Sequence, residues 1–265
     1  MDQLPYELAF MHKFNLHKLA RLLIEDDDIR SIARVYGVEE RVLGSIEDRF
    51  RRNLAALADE LRSRVASRAK QSPCIVAAIG DSITSDRESW AKILNEFWKD
   101  NNQRRVIDCA VSGDTTCHVK DRFYSTVMRE TFDWAVLFLG TNDCRQLDDE
   151  AHVSIVGHDE YKRNMRYFTE TLLGLGKEVI VVTVPYVDNE RLQAYFPEGN
   201  WVYRDELIDQ TNEFLRDLSE KTGARLADLA VALQAFDGEV LEEDGIHLNR
   251  NGQLILCELL LGILP

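Results

Sequence analysis

"PCIVAAIGDSITSD", residues 73 to 86, begins as an apolar run and breaks off at Gly80 and Asp81 into small polar residues. An uninterrupted apolar run bounded by Pro73 and a Gly-Asp-Ser turn predicts a strand buried on both faces, as in parallel sheets. Four further runs share this character: "RRVIDCAVSG" (104–113), "DWAVLFLGTND" (133–143), "EVIVVTVPY" (178–186) and "ARLADLAV" (224–231). Amphipathic segments predict helices near 88–100, 119–129, 160–175, 204–222 and 251–261. Short apolar runs alternating with such helices specify βα units and a mostly parallel sheet covered on both sides. In open α/β sheets the functional residues gather just beyond the C-terminal ends of the strands.

Residues 1–70 follow a different rhythm, with no strand-like run. Phe50, Leu54, Leu57, Leu61 and Val65 recur at steps of three and four, the apolar stripe of an amphipathic helix. An earlier helix is expected over 8–24, ending at the acidic run "EDDD". The stretch 27–50 then reads as helix, Gly37 turn and helix, resembling a helix-turn-helix in Ala33, Gly37, Val38, Val42 and Ile46. Glu39, Glu40, Glu47 and Asp48 suit a phosphate-lined groove poorly. The preferred reading is a helical bundle packed on the main domain or on a second copy, which would make a homo-oligomer. The expected organisation is thus a helical N-terminal extension over 1–70 and an α/β domain over 71–265.

The net charge of −14 is uneven, with residues 1–70 carrying +1 and the remainder −15. So acidic a body repels phosphate backbones and anionic membrane surfaces, so neither nucleic acid nor membrane is an expected partner. The N-terminus lacks the basic and continuous apolar stretches of a signal peptide, and "LILCELLLGILP" is interrupted by Glu258 and too short for a bilayer. The expectation is cytoplasmic. Five cysteines, an odd number, agree with a reducing compartment rather than a disulfide framework. Cys117 and His118 lack the partner spacing of a zinc site.

Three strand ends finish in chemically suggestive residues: "GDS", "SGDTT" and "GTND". A fourth group, "DGIHLNRNGQ", precedes the last helix. Ser82 needs a base to become nucleophilic, and His247 is the candidate because imidazole titrates near neutrality. Asp244, three residues earlier, can hold that ring in one tautomer. Acyl transfer also needs donors for the developing oxyanion. The backbone N–H of Ser82, the backbone N–H of Gly113 and the side-chain amide of Asn142 would supply them.

These four blocks, "GDSIT", "VSGDTT", "GTND" and the Asp244–His247 pair, resemble in order those of the SGNH (GDSL-type) hydrolase family. The resemblance covers roughly three quarters of the chain. It implies a flavodoxin-like three-layer α/β/α sandwich and hydrolysis of a small-molecule carboxylic ester or thioester through an acyl-serine, with no cofactor and no metal. The catalytic residues would be Ser82, His247 and Asp244, and the oxyanion hole Ser82, Gly113 and Asn142. The first block reads "GDSITSD" where the family more usually has "GDSLT" and a small residue, so Ser85, Asp86 and Arg87 are expected at the mouth of the site.

Asp81 and Asp143 read as turn and hydrogen-bonding residues, and His118, His152 and His158 as loop or surface histidines without a matching Asp. The long insertion "PYVDNERLQAYFPEGNWVYRD" bears Tyr186, Tyr195, Phe196, Trp201 and Tyr203. These aromatics either line an acyl or sugar pocket or bury one another. Two other functions fit the same residues. One passes the acyl-serine to an alcohol or amine, an acyltransferase; the other is a regulatory protein binding through the helix-turn-helix-like N-terminus.

Overall fold

The computed structural model describes residues 3–20, 24–65, 72–147 and 153–265. Three helices come first: α1 (Gln3–Lys13), α2 (Ile29–Tyr36) and α3 (Glu40–Val65). They are followed by β1 (Cys74–Gly80), α4 (Ser82–Ser85), α5 (Trp90–Phe97), β2 (Arg104–Asp108), α6 (Thr116–Arg122), β3 (Trp134–Phe138) and β4 (Arg145–Leu147). The chain then runs through α7 (His158–Gly174), β5 (Glu178–Val182), α8 (Asn189–Tyr195), β6 (Trp201–Tyr203), α9 (Asp205–Thr222), β7 (Arg225–Ala227), α10 (Leu229–Gln234) and α11 (Arg250–Ile263).

Five strands form one parallel sheet in the order β2-β1-β3-β5-β7. Because successive side chains point to opposite faces, each apolar run feeds two cores. Val76, Ala78, Val136, Phe138, Ile180 and Val182 pack against α5, α10 and α11, with Trp90 and Leu254 fully buried among them. Their neighbours Ala77, Ile79, Ala135, Leu137, Val179 and Val181 pack against α6, α7 and α9 through Val119, Phe168 and Leu215. This is a three-layer α/β/α sandwich. The strand order reverses direction between β1 and β3, and at such a switch point an open α/β sheet places its site beyond the C-terminal ends of the strands.

The expected boundary between residues 70 and 71 lies outside the described residues. The extension differs from the sequence reading in two places. The helix expected over 8–24 stops at Lys13, and a short 3-10 turn, Leu16–Ala20, follows. Between them Asn15 adopts φ 52°, a left-handed backbone that Asn tolerates better than most residues. The second helix of the turn motif and the helix of the Phe50 stripe are one element, α3, of 26 residues. Its first half shares a small core with α1 and α2 through Leu8, Ile32, Leu43, Ile46 and Phe50; its second half gives Leu57, Leu61 and Val65 to the main core.

Charges inside this junction are paired. Lys18 Nζ lies 2.8 Å from Asp108 and 3.3 Å from Asp26, and Lys92 Nζ lies 2.7 Å from Asp26 and 3.1 Å from Asp108. Glu47 sits 3.0 Å from His12 and 3.2 Å from Arg87. Burial pushes the Glu47 carboxyl up, but the His12 hydrogen bond, the Arg87 charge and the Arg51 hydrogen bond outweigh it, to about 2.

His17 is 1 % exposed, and burial lowers its imidazole from 6.5 to about 4. The unfolded chain therefore takes up a proton between those values that the native state refuses. Stability from this group is complete above pH 6.5 and is lost as pH falls toward 4. His17→Leu, neutral at every pH, is expected to gain on the wild type by up to about 1.4 kcal/mol per pH unit as pH falls through that window. Urea denaturation at several pH values reads this, and parallel stability curves would refute it. Among the described residues no helix is long and apolar enough to cross a membrane.

Candidate active site

β1 delivers Ser82 through a tight turn in which Asp81 caps α4, its carboxylate accepting from the Ile83 N–H at 3.0 Å. Ser82 is half-buried just past the C-terminal end of β1. From the far end of the chain the loop before α11 brings His247, whose Nε2 lies 2.8 Å from Ser82 Oγ across 165 positions of sequence. The other ring nitrogen, Nδ1, lies 2.5 Å from Asp244 Oδ2. Asp244 Oδ1 accepts from the backbone N–H groups of Ile246 and His247, both at 3.0 Å, which fixes the carboxylate relative to the ring. Gly245 makes this turn feasible, since its φ of +73° and the 2.5 Å that would separate a Cβ from Asp188 O leave no room for a side chain.

Burial tends to raise the Asp244 carboxyl, but hydrogen bonds from the His247 ring, its positive form and two backbone N–H groups outweigh this and hold it below the usual carboxylate value. An ionised Asp244 requires the proton on Nδ1 of His247, leaving Nε2 as acceptor for the Ser82 hydroxyl. The arrangement can move a proton from serine to imidazole while compensating the charge that develops.

The oxyanion candidates converge from the ends of β1, β2 and β3. Gly113, at φ +78°, has open space where a Cβ would stand. The backbone N–H groups of Ser82 and Gly113 have no backbone partner among the described residues. Asn142 is 7 % exposed, and its Nδ2 donates to the Asp114 carbonyl at 3.1 Å and to Asp81 Oδ2 at 3.4 Å. The longer of these bonds is the weaker and the one an incoming oxyanion would displace.

Asp81 and Asp143 organise the turns. Burial raises Asp81 to about 7, against the Ile83 N–H bond and the His247 charge. Asp143, raised by burial to about 6, accepts from the Thr116 N–H at 3.1 Å and from its hydroxyl at 2.5 Å, tying α6 to the loop after β3. Thr116 was not singled out in the sequence, where "SGDTT" shows the turn but not its partner.

His118 caps α6 with Thr115, and His158 stacks on Tyr161 at the start of α7; His152 lies outside the described residues. Cys117 accepts from Asn164 Nδ2 at 3.5 Å. The insertion folds into α8 and β6, which pairs antiparallel with β4. Tyr203 is buried, Tyr186 is exposed, and Tyr195, Phe196 and Trp201 are half-buried beside one another.

Ser85, Asp86 and Arg87 are buried rather than facing an open mouth, because the N-terminal extension covers them. The Arg87 N–H donates to the Lys13 carbonyl at 2.8 Å, and Asn15 Nδ2 donates to the Ser85 carbonyl at 2.5 Å. Phe14, hidden in the sequence inside a helical apolar pattern, stacks on the His247 ring with centroids 4.1 Å apart.

Residues 78–255 match the model of the GDSL-like Lipase/Acylhydrolase family. An acetylxylan esterase of Geobacillus stearothermophilus is 27% identical over 162 residues, 58% of this chain and 68% of its own length. Among solved structures, a lipase/acylhydrolase from Enterococcus faecalis aligns over 72% of this chain and 97% of its own, at 24% identity and TM-score 0.59. The acetylxylan esterase Axe2 from Geobacillus stearothermophilus aligns over 72% and 93%, at 20% identity and TM-score 0.56. These two likenesses carry the fold, and the family match begins at Ala78, inside β1 and just ahead of the Gly80–Ser82 turn. The helical extension lies outside it.

Proposed function

The chain belongs to the GDSL-like lipase/acylhydrolase family and is a carboxylic ester hydrolase; from that premise we propose that it works through an acyl-serine formed on Ser82. The observation that carries this reading is the hydrogen-bonded series Ser82 Oγ, His247 Nε2, His247 Nδ1 and Asp244 Oδ2, with contacts of 2.8 and 2.5 Å.

His247 Nε2 takes the Ser82 proton as Oγ attacks the ester carbonyl, and Asp244 compensates the imidazolium. The carbonyl oxygen gains the electron pair and rests among the N–H groups of Ser82, Gly113 and Asn142. Collapse of this intermediate expels the alcohol, which takes the proton from Nε2. Water then attacks the acyl-serine, His247 removing its proton and returning one to Ser82. Serine-to-alanine and histidine-to-alanine forms of Axe2 are described as catalytic mutants, which supports a serine and a histidine in these roles.

The test is initial rates on p-nitrophenyl esters of increasing acyl length and on acetylated xylooligosaccharide, wild type beside Ser82→Ala. The acetylxylan esterase relative makes short acyl groups the expected preference. Hydrolysis that survives the substitution would overturn the acyl-serine. Asn142→Ala is expected to lower kcat by about 10² to 10³, the scale of one oxyanion donor. An unchanged kcat would remove Asn142 from that role.

A further inference from the structure

The segment Lys13–Asn15 crosses the catalytic loops as a strap. Besides its bonds to Ser85 and Arg87, the Phe14 carbonyl accepts from the Ser112 hydroxyl, next to Gly113. Lys13 Nζ lies 2.7 Å from Glu242, two residues before Asp244, and 3.6 Å from Asp86. Burial tends to lower the Lys13 ammonium, but Asp86, Glu242 and Glu88 outweigh it and hold it charged. The strap is thus anchored to the loop after β1, the loop after β2 and the loop that carries His247.

These anchors fix one side chain against the catalytic ring. Phe14 is 3 % exposed, its ring tilted 27° from that of His247 and braced on the other side by Phe10 at 4.9 Å. Phe10 in turn meets Tyr195 and Phe196, so an aromatic wall runs from His247 to the insertion. The left-handed backbone of Asn15, fully buried, turns the chain so that Phe14 can reach the imidazole. Ser85, Asp86 and Arg87, where the chain departs from the family's first block, supply the docking surface for this strap.

We propose that Phe14 is a specificity-determining residue that bounds the space for the alcohol half of the ester, so that the N-terminal extension supplies a wall of the active site. The proposal rests on the acyl-serine reading above. In that mechanism the leaving oxygen takes its proton from His247 Nε2 and must lie within hydrogen-bond reach of it. The acyl carbonyl points the other way, toward the Ser82 and Gly113 N–H groups. A ring stacked on the imidazole therefore limits the alcohol and leaves the acyl chain free.

Two matched series test this: acetyl esters of alcohols from methanol to naphthol, followed by acid release, and p-nitrophenyl esters from acetyl to octanoyl. Phe14→Ala is expected to raise the kcat/KM ratio of the bulkiest to the smallest alcohol by about tenfold or more, mainly through KM. Phe14→Trp should move that ratio the opposite way, and Phe14→Tyr should restore the wild-type ratio. The acyl-length profile should stay within about twofold, far below the scale of a direct pocket contact. An unchanged alcohol ratio, or both series shifting in parallel, would overturn the proposal. If Phe14→Ala does not fold, Phe14→Trp and Phe14→Leu carry the same comparison. A wild type no faster than Ser82→Ala on every ester defeats the acyl-serine reading and this proposal with it; an active wild type with indifferent Phe14 variants defeats this proposal alone.

Discussion

Ser82→Ala is expected to lower kcat on every ester substrate by about 10⁴- to 10⁶-fold, the cost of removing the nucleophile from a serine triad. The size of the effect follows from the geometry. Ser82 Oγ lies 2.8 Å from His247 Nε2 at the N-terminus of α4, where on the proposed mechanism a carbonyl would meet the Ser82 and Gly113 N–H groups. Water entering the space vacated by Oγ lacks the covalent positioning that makes the attack intramolecular. Folding should be unaffected, because the helix cap is Asp81 and the neighbouring packing is made by Ile83 and Thr84. An unchanged melting temperature beside abolished turnover is the expected pair of results. Residual hydrolysis within about tenfold of wild type would mean that another group performs the attack.

Asp244→Asn is expected to lower kcat by about 10⁴-fold with little change in KM. An asparagine amide retains one oxygen, enough to accept from the Ile246 and His247 N–H groups that now bond Oδ1 at 3.0 Å. What it cannot do is accept the Nδ1 proton with its second position, which becomes an N–H₂ donor. The ring then turns to the tautomer with its proton on Nε2, where it can no longer accept from Ser82. Loss of the negative charge also leaves the imidazolium of the transition state uncompensated in a site where His247 is 8 % exposed. A kcat within about tenfold of wild type would show that neither the tautomer nor the charge that Asp244 supplies limits the reaction.

The central strands β1, β3 and β5 were legible because their runs are apolar on both faces, the edge strands β2 and β7 from shorter apolar runs beside them, and the helices over 160–175, 204–222 and 251–261 from period alone, matching α7, α9 and α11. The segment 119–129 read as one helix, but it is α6 followed by a separate 3-10 turn, Val127–Arg129. Here Arg122 bonds Asp114 and Thr126, and its carbonyl takes the Ser125 and Thr126 hydroxyls, so local hydrogen bonds compete with the helix. The pairing of β4 with β6 was not legible, since three-residue strands carry no period and their partners are some fifty positions apart.

Three of the four blocks stood in the sequence at strand ends and the fourth ahead of the last helix, and their functional groups together with their order, through the family resemblance, pointed to the class of chemistry. The order of the apolar runs likewise determined a parallel sheet with helices on both faces. Only the tertiary structure decided that Lys13, Phe14 and Asn15 cross the site. An apolar stripe with three- and four-residue steps is the same whether a helix continues through Phe14 or stops there. What stops it is a set of contacts with Ser85, Arg87, Ser112 and His247, at separations of about 70 to 230 positions, which local propensity does not encode.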